Sequence, residues 1–172
     1  MRTNRKITQV VGDRGGFTLV EVLVAAMILL VALLTLASMF PVGYRQITDA
    51  GRMTVAVSGA RHILEDVGDI PFNNISNING VDTASNTGVI AGLGGTEGAL
   101  ARRWRYMLAG SGNGFTFTGA ETTAWGTAQP FGGRAVVTVA NTSATLRTVT
   151  VTVTVPGLPG NVTLSTVIVR LF

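Results

Sequence analysis

Few residues in this chain are equipped for chemistry, and the one in the oddest setting is Glu21. It lies in the run Gly15-Gly16-Phe17-Thr18-Leu19-Val20-Glu21-Val22-Leu23-Val24-Ala25-Ala26 and is the only charged residue between Phe17 and Phe40. An acidic side chain costs about 2.5–3.5 kcal/mol at the centre of a membrane helix and less near its end, so a plain anchor has no reason to keep one. A second candidate is Arg102-Arg103-Trp104-Arg105, where an aromatic ring among cations could stack on and neutralise a nucleic-acid strand. Gly92-Leu93-Gly94-Gly95 and Gly110-Ser111-Gly112-Asn113-Gly114 look superficially like phosphate loops. Neither is followed by the required lysine, and no βαβ unit surrounds them, so both read as turns. His62 is the single histidine and there is no cysteine, which excludes disulfides and thiolate metal sites. No metal site and no cofactor are expected. Beyond residue 101 there is no histidine and the only acid is Glu121, so no nucleophile and base can be paired there and no catalytic residue is nominated.

The elements that must hold Glu21 are readable. Phe17 to Phe40 is 24 residues with one charge, and as a helix it spans roughly 36 Å, enough for a hydrocarbon core of about 30 Å. Residues 1–16 carry Arg2, Arg5, Lys6 and Arg14 against Asp13, most of the chain's net charge of +4. The basicity is therefore mainly a topology signal, with positive residues staying on the cytoplasmic side of the apolar helix. An ordinary signal peptide, cleaved after Ala37, is the plain alternative. The run is longer than the usual h-region of about 7–15 residues, and a signal peptide has no use for Glu21.

Gly16-Phe17-Thr18-Leu19-Val20-Glu21-Val22-Leu23-Val24-Ala25, behind a basic leader and ahead of an apolar helix, resembles the N-terminal signature of type IV pilins and type II secretion pseudopilins. The likeness is close over about residues 14–41 and diffuse beyond. It implies that a membrane prepilin peptidase cuts between Gly16 and Phe17 and N-methylates Phe17, using S-adenosylmethionine. It also implies that Glu21 is the glutamate that sets register against a neighbouring subunit. The residues agree with this. Two glycines let an extended backbone enter a peptidase cleft, and cleavage leaves an amine at Phe17 that could pair with a Glu21 carboxylate in an apolar layer. Pro41, with Gly43 after it, is placed like the proline that bends or loosens pilin helices. The implied fold is α+β: a long N-terminal helix, its first half transmembrane, packed on a C-terminal antiparallel sheet.

Five segments are expected in chain order: leader 1–16, transmembrane and filament-core helix 17–40, amphipathic helix 41–69, a Gly/Asn-rich helix-to-sheet loop 70–101, and a sheet domain 102–172. The amphipathic stripe reads as Ala50, Met53, Val57, Ala60, Leu64 and Val67, with Asp66 off it, and Pro71 marks the stop. Alternation makes Arg102–Leu108 a first strand, with Trp104, Tyr106 and Leu108 inward. Residues 115–131 read as a short strand and an irregular loop. Arg134–Ala140, Leu146–Val155 and Val162–Phe172 then form a meander. Val149, Val151, Val153 and Val155 share one face of the middle strand, and threonines occupy the other.

The expected function is that of a structural subunit, a minor pilin or minor pseudopilin. Major pilins often close the C-terminal region with a disulfide and major pseudopilins bind calcium there through carboxylates; this chain has no cysteine, and no acid after Glu121. The expected partners are the peptidase, other pilin or pseudopilin subunits, membrane lipid before assembly, and an inner-membrane platform with a cytoplasmic ATPase. The chain would sit in the bacterial inner membrane, N-terminus cytoplasmic, and then enter a periplasmic pseudopilus or extracellular pilus. One alternative is a minor pilin that binds DNA or a surface through Arg102, Arg103, Trp104 and Arg105; nucleic acid is the less favoured partner. The weaker one is a secreted β-rich protein with an ordinary signal peptide.

Overall fold

A computed structural model describes residues 16–111, 114–127 and 130–170. Residues 1–15 of the leader, residues 112–113 of the expected turn Gly110–Gly114 and residues 171–172 of the expected strand Val162–Phe172 lie outside the described residues. The architecture is α+β: a long apolar N-terminal helix and a four-stranded antiparallel sheet.

Helix α1 runs from Leu19 to Gly68, and the chain divides within it into two compact units, the first ending at Arg45 and the second beginning at Gln46. Pro41 lacks the N–H that would bond back one turn and its ring crowds that carbonyl, yet the helix carries no break at Pro41 or Gly43. In the first unit, the apolar side chains of α1 from Leu19 to Phe40 stand exposed. Water would not tolerate such a surface on a monomer, and the run is long and apolar enough to cross a membrane.

In the second unit, α1 buries Ala56, Ala60, Ile63 and Val67, spaced 4, 3 and 4. The expected stripe is therefore rotated: Ala60 and Val67 lie on it, Val57 and Leu64 are only partly buried, and Ala50 and Met53 face solvent. The rotation turns Asp66 inward as well, to 8% exposure. Helix α1 stops as expected, just before Pro71, and Asp69 and Ile70 donate to Asp66 and Val67 in a tightened last turn.

Residues 70–101 are not one loop. They hold a 3₁₀ turn (Ile75–Ile78), the two-residue strand β1 (Val81–Asp82), the short helix α2 (Val89–Gly92) and the start of α3 (Gly95–Leu108). Ile75, Ile78, Val81 and Ile90 enter the core from this stretch. The strand expected over 102–108 is the body of α3. Its alternation is real, but Ala101, Trp104, Arg105 and Leu108 also recur at helical spacing, and those residues, with Glu97 and Gly98 of the first turn, are the ones α3 buries. Likewise 115–131 contains α4 (Gly119–Trp125), started by a capping box in which Glu121 N–H donates to Thr118 Oγ1 and the Glu121 carboxylate accepts from Thr118 N–H.

The meander is as expected: β2 (Arg134–Asn141), β3 (Leu146–Thr154) and β4 (Val162–Val169) pair in sequence order, with β1 outside β2. Val149, Val151 and Val153 of β3 are fully buried against Ala135, Val137 and the α1 stripe, each contributing on the order of 1.5–3 kcal/mol. The threonines form a cross-strand hydroxyl ladder on the other face, with Thr150 to Ser165 at 2.8 Å and Thr152 to Thr163 at 3.3 Å.

Candidate assembly site

Gly16, Phe17 and Thr18 are non-helical, and α1 begins at once after them. The start is fixed by a second capping box. Glu21 N–H donates to Thr18 Oγ1 at 3.3 Å, while Glu21 Oε2 accepts from Thr18 N–H at 2.9 Å and from Thr18 Oγ1 at 3.0 Å. Glu21 thus has a local role that sequence reading missed, although the Thr-x-x-Glu spacing ahead of an apolar run is its standard signal. The cap accounts for the carboxylate's hydrogen bonds and leaves its charge uncompensated: among the described residues no cation pairs with Glu21. The carboxylate borders a shallow groove along α1 lined by Phe17, Val22, Ala25, Ala26 and Leu29. Any apolar helix docking there would enclose a charge that still lacks a counter-ion.

Residues 12–37 match the family described as the prokaryotic N-terminal methylation motif. Over that segment the chain is type IV pilin/pseudopilin-like. The motif covers the end of the basic leader, the Gly16–Phe17 junction, Glu21 and the first five turns of the apolar helix. It implies processing by a prepilin peptidase and filament assembly with other pilins, and it belongs to a class of structural subunits rather than enzymes. With the exposed apolar helix it describes a membrane-anchored precursor. No curated protein and no solved structure matches this pilin-like chain.

The second nominated group, on α3, is built into the domain. Trp104 is fully buried and its Nε1 donates to Asp66 Oδ2 at 2.7 Å, which explains why α1 turns that aspartate inward. Arg105 is 1% exposed; its Nη1 donates to the carbonyls of Thr83 and Ser85 at 3.0 and 2.8 Å, and its guanidinium lies 4.2 Å from the Phe115 ring centre. Burial lowers its pKa from the ordinary arginine value, partly offset by the charge of Asp82. Arg102 grips Glu121 through Nε and Nη2, the latter at 2.8 Å, and stacks 4.8 Å from Phe115. That hydrogen-bonded pair holds the Glu121 carboxyl down at about 2 and raises Arg102. Arg103 Nη1 is 3.8 Å from Asp66 Oδ1, and His62 Nε2 is 3.7 Å from Asp66 Oδ2.

The nominated residues Arg102, Arg103, Trp104 and Arg105 therefore do not share one surface. Trp104 and Arg105 are core residues, and the other two guanidiniums already face carboxylates. A helix, unlike a strand, sends four consecutive side chains in four directions. The aromatics nearby serve the same scaffold: Tyr106, Phe117 and Trp125 cluster with ring centres 5.0–6.0 Å apart, and Tyr106 Oη donates to the Gly126 carbonyl at 2.7 Å. His62 is partly exposed on α1. Among the described residues no three histidine, cysteine or carboxylate side chains gather as a metal site would require.

Proposed function

We propose that this pilin-like chain is a minor pilin or minor pseudopilin, and that it acts as a building block rather than as an enzyme. Prepilin peptidase cuts it after Gly16 and methylates Phe17. An inner-membrane platform driven by a cytoplasmic ATPase then lifts it from the bilayer into a periplasmic pseudopilus or an extracellular pilus. The observation that carries the reading is the methylation motif at residues 12–37, laid over a helix whose apolar side chains from Leu19 to Phe40 are all exposed. That surface is covered first by lipid and then by neighbouring helices. Glu21 supplies the one directional element in it: a carboxylate, capped but without a cation among the described residues, that a neighbour's Phe17 amine can neutralise. Pro41 and Gly43 mark where α1 can bend or stretch as it leaves the membrane.

The subunit reading is favoured over DNA capture because the arginines of α3 are committed to Glu121, Asp66 and the carbonyls of Thr83 and Ser85. Mass spectrometry of the mature N-terminus tests it. The expected chain begins at Phe17 and is one methyl group heavier than its sequence. A mature chain beginning at Ser38 would make residues 1–37 an ordinary signal peptide and remove the proposal.

A further inference from the structure

The charges that bracket the apolar helix bear on how deep it sits in a bilayer. Between Glu21 and Arg45 the chain carries no charged residue, and the whole stretch lies on α1 within the first unit. A hydrocarbon core of about 30 Å takes about 20 helical residues. Glu21 sets the first limit. A span counted from Phe17 would hold its carboxylate about 6 Å inside the core, with no cation beside it among the described residues. A span counted from Val22 leaves it outside. The capping box suits the second placement, because Glu21 Oε2 is folded back onto Thr18 N–H and Oγ1 at the mouth of the helix, where headgroups and water can solvate it.

A span of 20 residues from Val22 ends on Pro41. Proline leaves the carbonyl one turn back without its N–H, which is costly deep in hydrocarbon and tolerable near its border. Inside these limits the only polar side chains are Thr35 and Ser38. Both are answered within the helix: Thr35 Oγ1 donates to the Val31 carbonyl at 2.8 Å and Ser38 Oγ to the Thr35 carbonyl at 2.7 Å. Tyr44, 75% exposed, and Arg45, exposed and without a carboxylate partner among the described residues, come next. They stand about 4.5 and 6 Å beyond Pro41, within a headgroup layer about 5–7 Å deep.

We propose that Val22–Pro41, rather than Phe17–Phe40, crosses the hydrocarbon, and that Tyr44 and Arg45 are a docking site for phospholipid headgroups. Arg45 offers its guanidinium to a lipid phosphate from an apolar stem, and Tyr44 offers an apolar ring with a polar tip, the two side-chain forms this layer favours. Glu21 on one side and Tyr44–Arg45 on the other then fix the depth of the helix from both ends. The proposal rests on the reading of the chain as a membrane-anchored precursor cut after Gly16, and adds where that bond lies. Gly16 and Phe17 are non-helical and sit on the aqueous side of Glu21, where a peptidase can reach an extended backbone.

The chain has no cysteine, so single labels are clean. The full-length chain, made without prepilin peptidase, carries bimane on Val20→Cys, Leu30→Cys, Ser38→Cys or Gly43→Cys; a Cβ at Gly43 meets nothing within 4 Å. It is reconstituted in phosphatidylethanolamine–phosphatidylglycerol vesicles holding a nitroxide on the headgroup or deep in the acyl chain. The headgroup nitroxide should quench Val20→Cys and Gly43→Cys several-fold more than the acyl nitroxide does, and the order should reverse at Leu30→Cys and Ser38→Cys. Adding Arg45→Gln to Gly43→Cys should weaken the headgroup quenching, and Arg45→Lys should restore it. Headgroup quenching at Ser38→Cys with acyl quenching at Val20→Cys would place the span at the Phe17 end and overturn the proposal. Quenching at Gly43→Cys indifferent to Arg45→Gln would remove the anchor. No acyl quenching at any site would sink the membrane reading itself, whereas the predicted depth with a mature chain that does not begin at Phe17 would sink only the cleavage reading.

Discussion

Replacing Arg102 with methionine should expose how α3 and α4 are held together, through a stability loss that depends on pH. In the folded chain the Glu121 carboxyl is lowered from 4.5 to about 2, chiefly by its hydrogen bonds from Arg102, with Thr118 N–H and Oγ1 adding to the effect. Taken in full, a shift of that size corresponds to about 3 kcal/mol. The Arg102 side chain is 32% exposed and that of Glu121 21%, so water screens the pair, and Thr118 remains after the substitution; about 1–2 kcal/mol is the expected share of Arg102. The sign follows from a depressed carboxyl. The stabilisation is present above the unfolded-state value near 4.5 and is lost as pH falls through that value toward 2. The assay is urea unfolding of the detergent-solubilised full chain, followed by tryptophan fluorescence, for wild type and Arg102→Met. The gap between them should be largest near about pH 7 and shrink by about 1–2 kcal/mol toward about pH 2.5. Loss of the stack on Phe115 adds a constant offset that does not titrate. Glu121→Gln keeps an acceptor for the cap and should flatten the profile. A gap that stays constant across that range would refute the ion pair as the source of the stability.

Two further substitutions probe the packing of the second unit. Asp66→Ala should cost about 2 kcal/mol, because it leaves the indole N–H of buried Trp104 without an acceptor, and Asp66→Asn should recover much of this; both are read by the same unfolding assay. Gly98→Ala should destabilise although alanine is the better helix former by about 1 kcal/mol, because its Cβ would lie 2.6 Å from the Leu93 carbonyl oxygen; a rise in the unfolding midpoint would show that α2 and α3 are not packed as described.

The parts of the chain that could be read from sequence are those where one pattern stands alone. Leu19–Phe40 is an almost unbroken apolar run, β2–β4 repeat a single period over many residues, and the stretch around Gly16, Phe17 and Glu21 combines several rare features in fixed order. Where two patterns overlapped, the reading failed. Trp104, Tyr106 and Leu108 alternate as in a strand, while Ala101, Trp104, Arg105 and Leu108 recur as in a helix. The helical set looks wrong until one sees that an arginine, bonded to two carbonyls and stacked on Phe115, can occupy a core position. Asp66 was misplaced for the same reason, since a carboxylate is assigned to solvent until its indole donor, 38 residues away, is known. Residues 70–101 hide their elements behind turn-forming residues. A structureless connection of that length was itself a poor expectation for a compact domain.

The two capping boxes, at Thr18–Glu21 and Thr118–Glu121, turn the assembly reading into a sharper test. The hydrogen bonds are nearly the same in both. Glu121 also has Arg102, whereas Glu21 has no cation among the described residues. A cap alone does not call for a charge, because glutamine serves at the same position. Glu21→Gln should therefore keep the start of α1, membrane insertion and cleavage after Gly16, since the cap contributes about 1 kcal/mol and survives. It should nevertheless block incorporation into filaments, because a neighbour's terminal amine buried without its carboxylate costs on the order of 3–5 kcal/mol. Glu21→Ala should lose the cap as well and fray the first turn. Sheared surface fractions or periplasmic filaments, probed for this chain beside its membrane pool, give the readout. If Glu21→Gln assembles as wild type does, the carboxylate is retained for the cap alone, and register between subunits must come from the shapes of the apolar side chains.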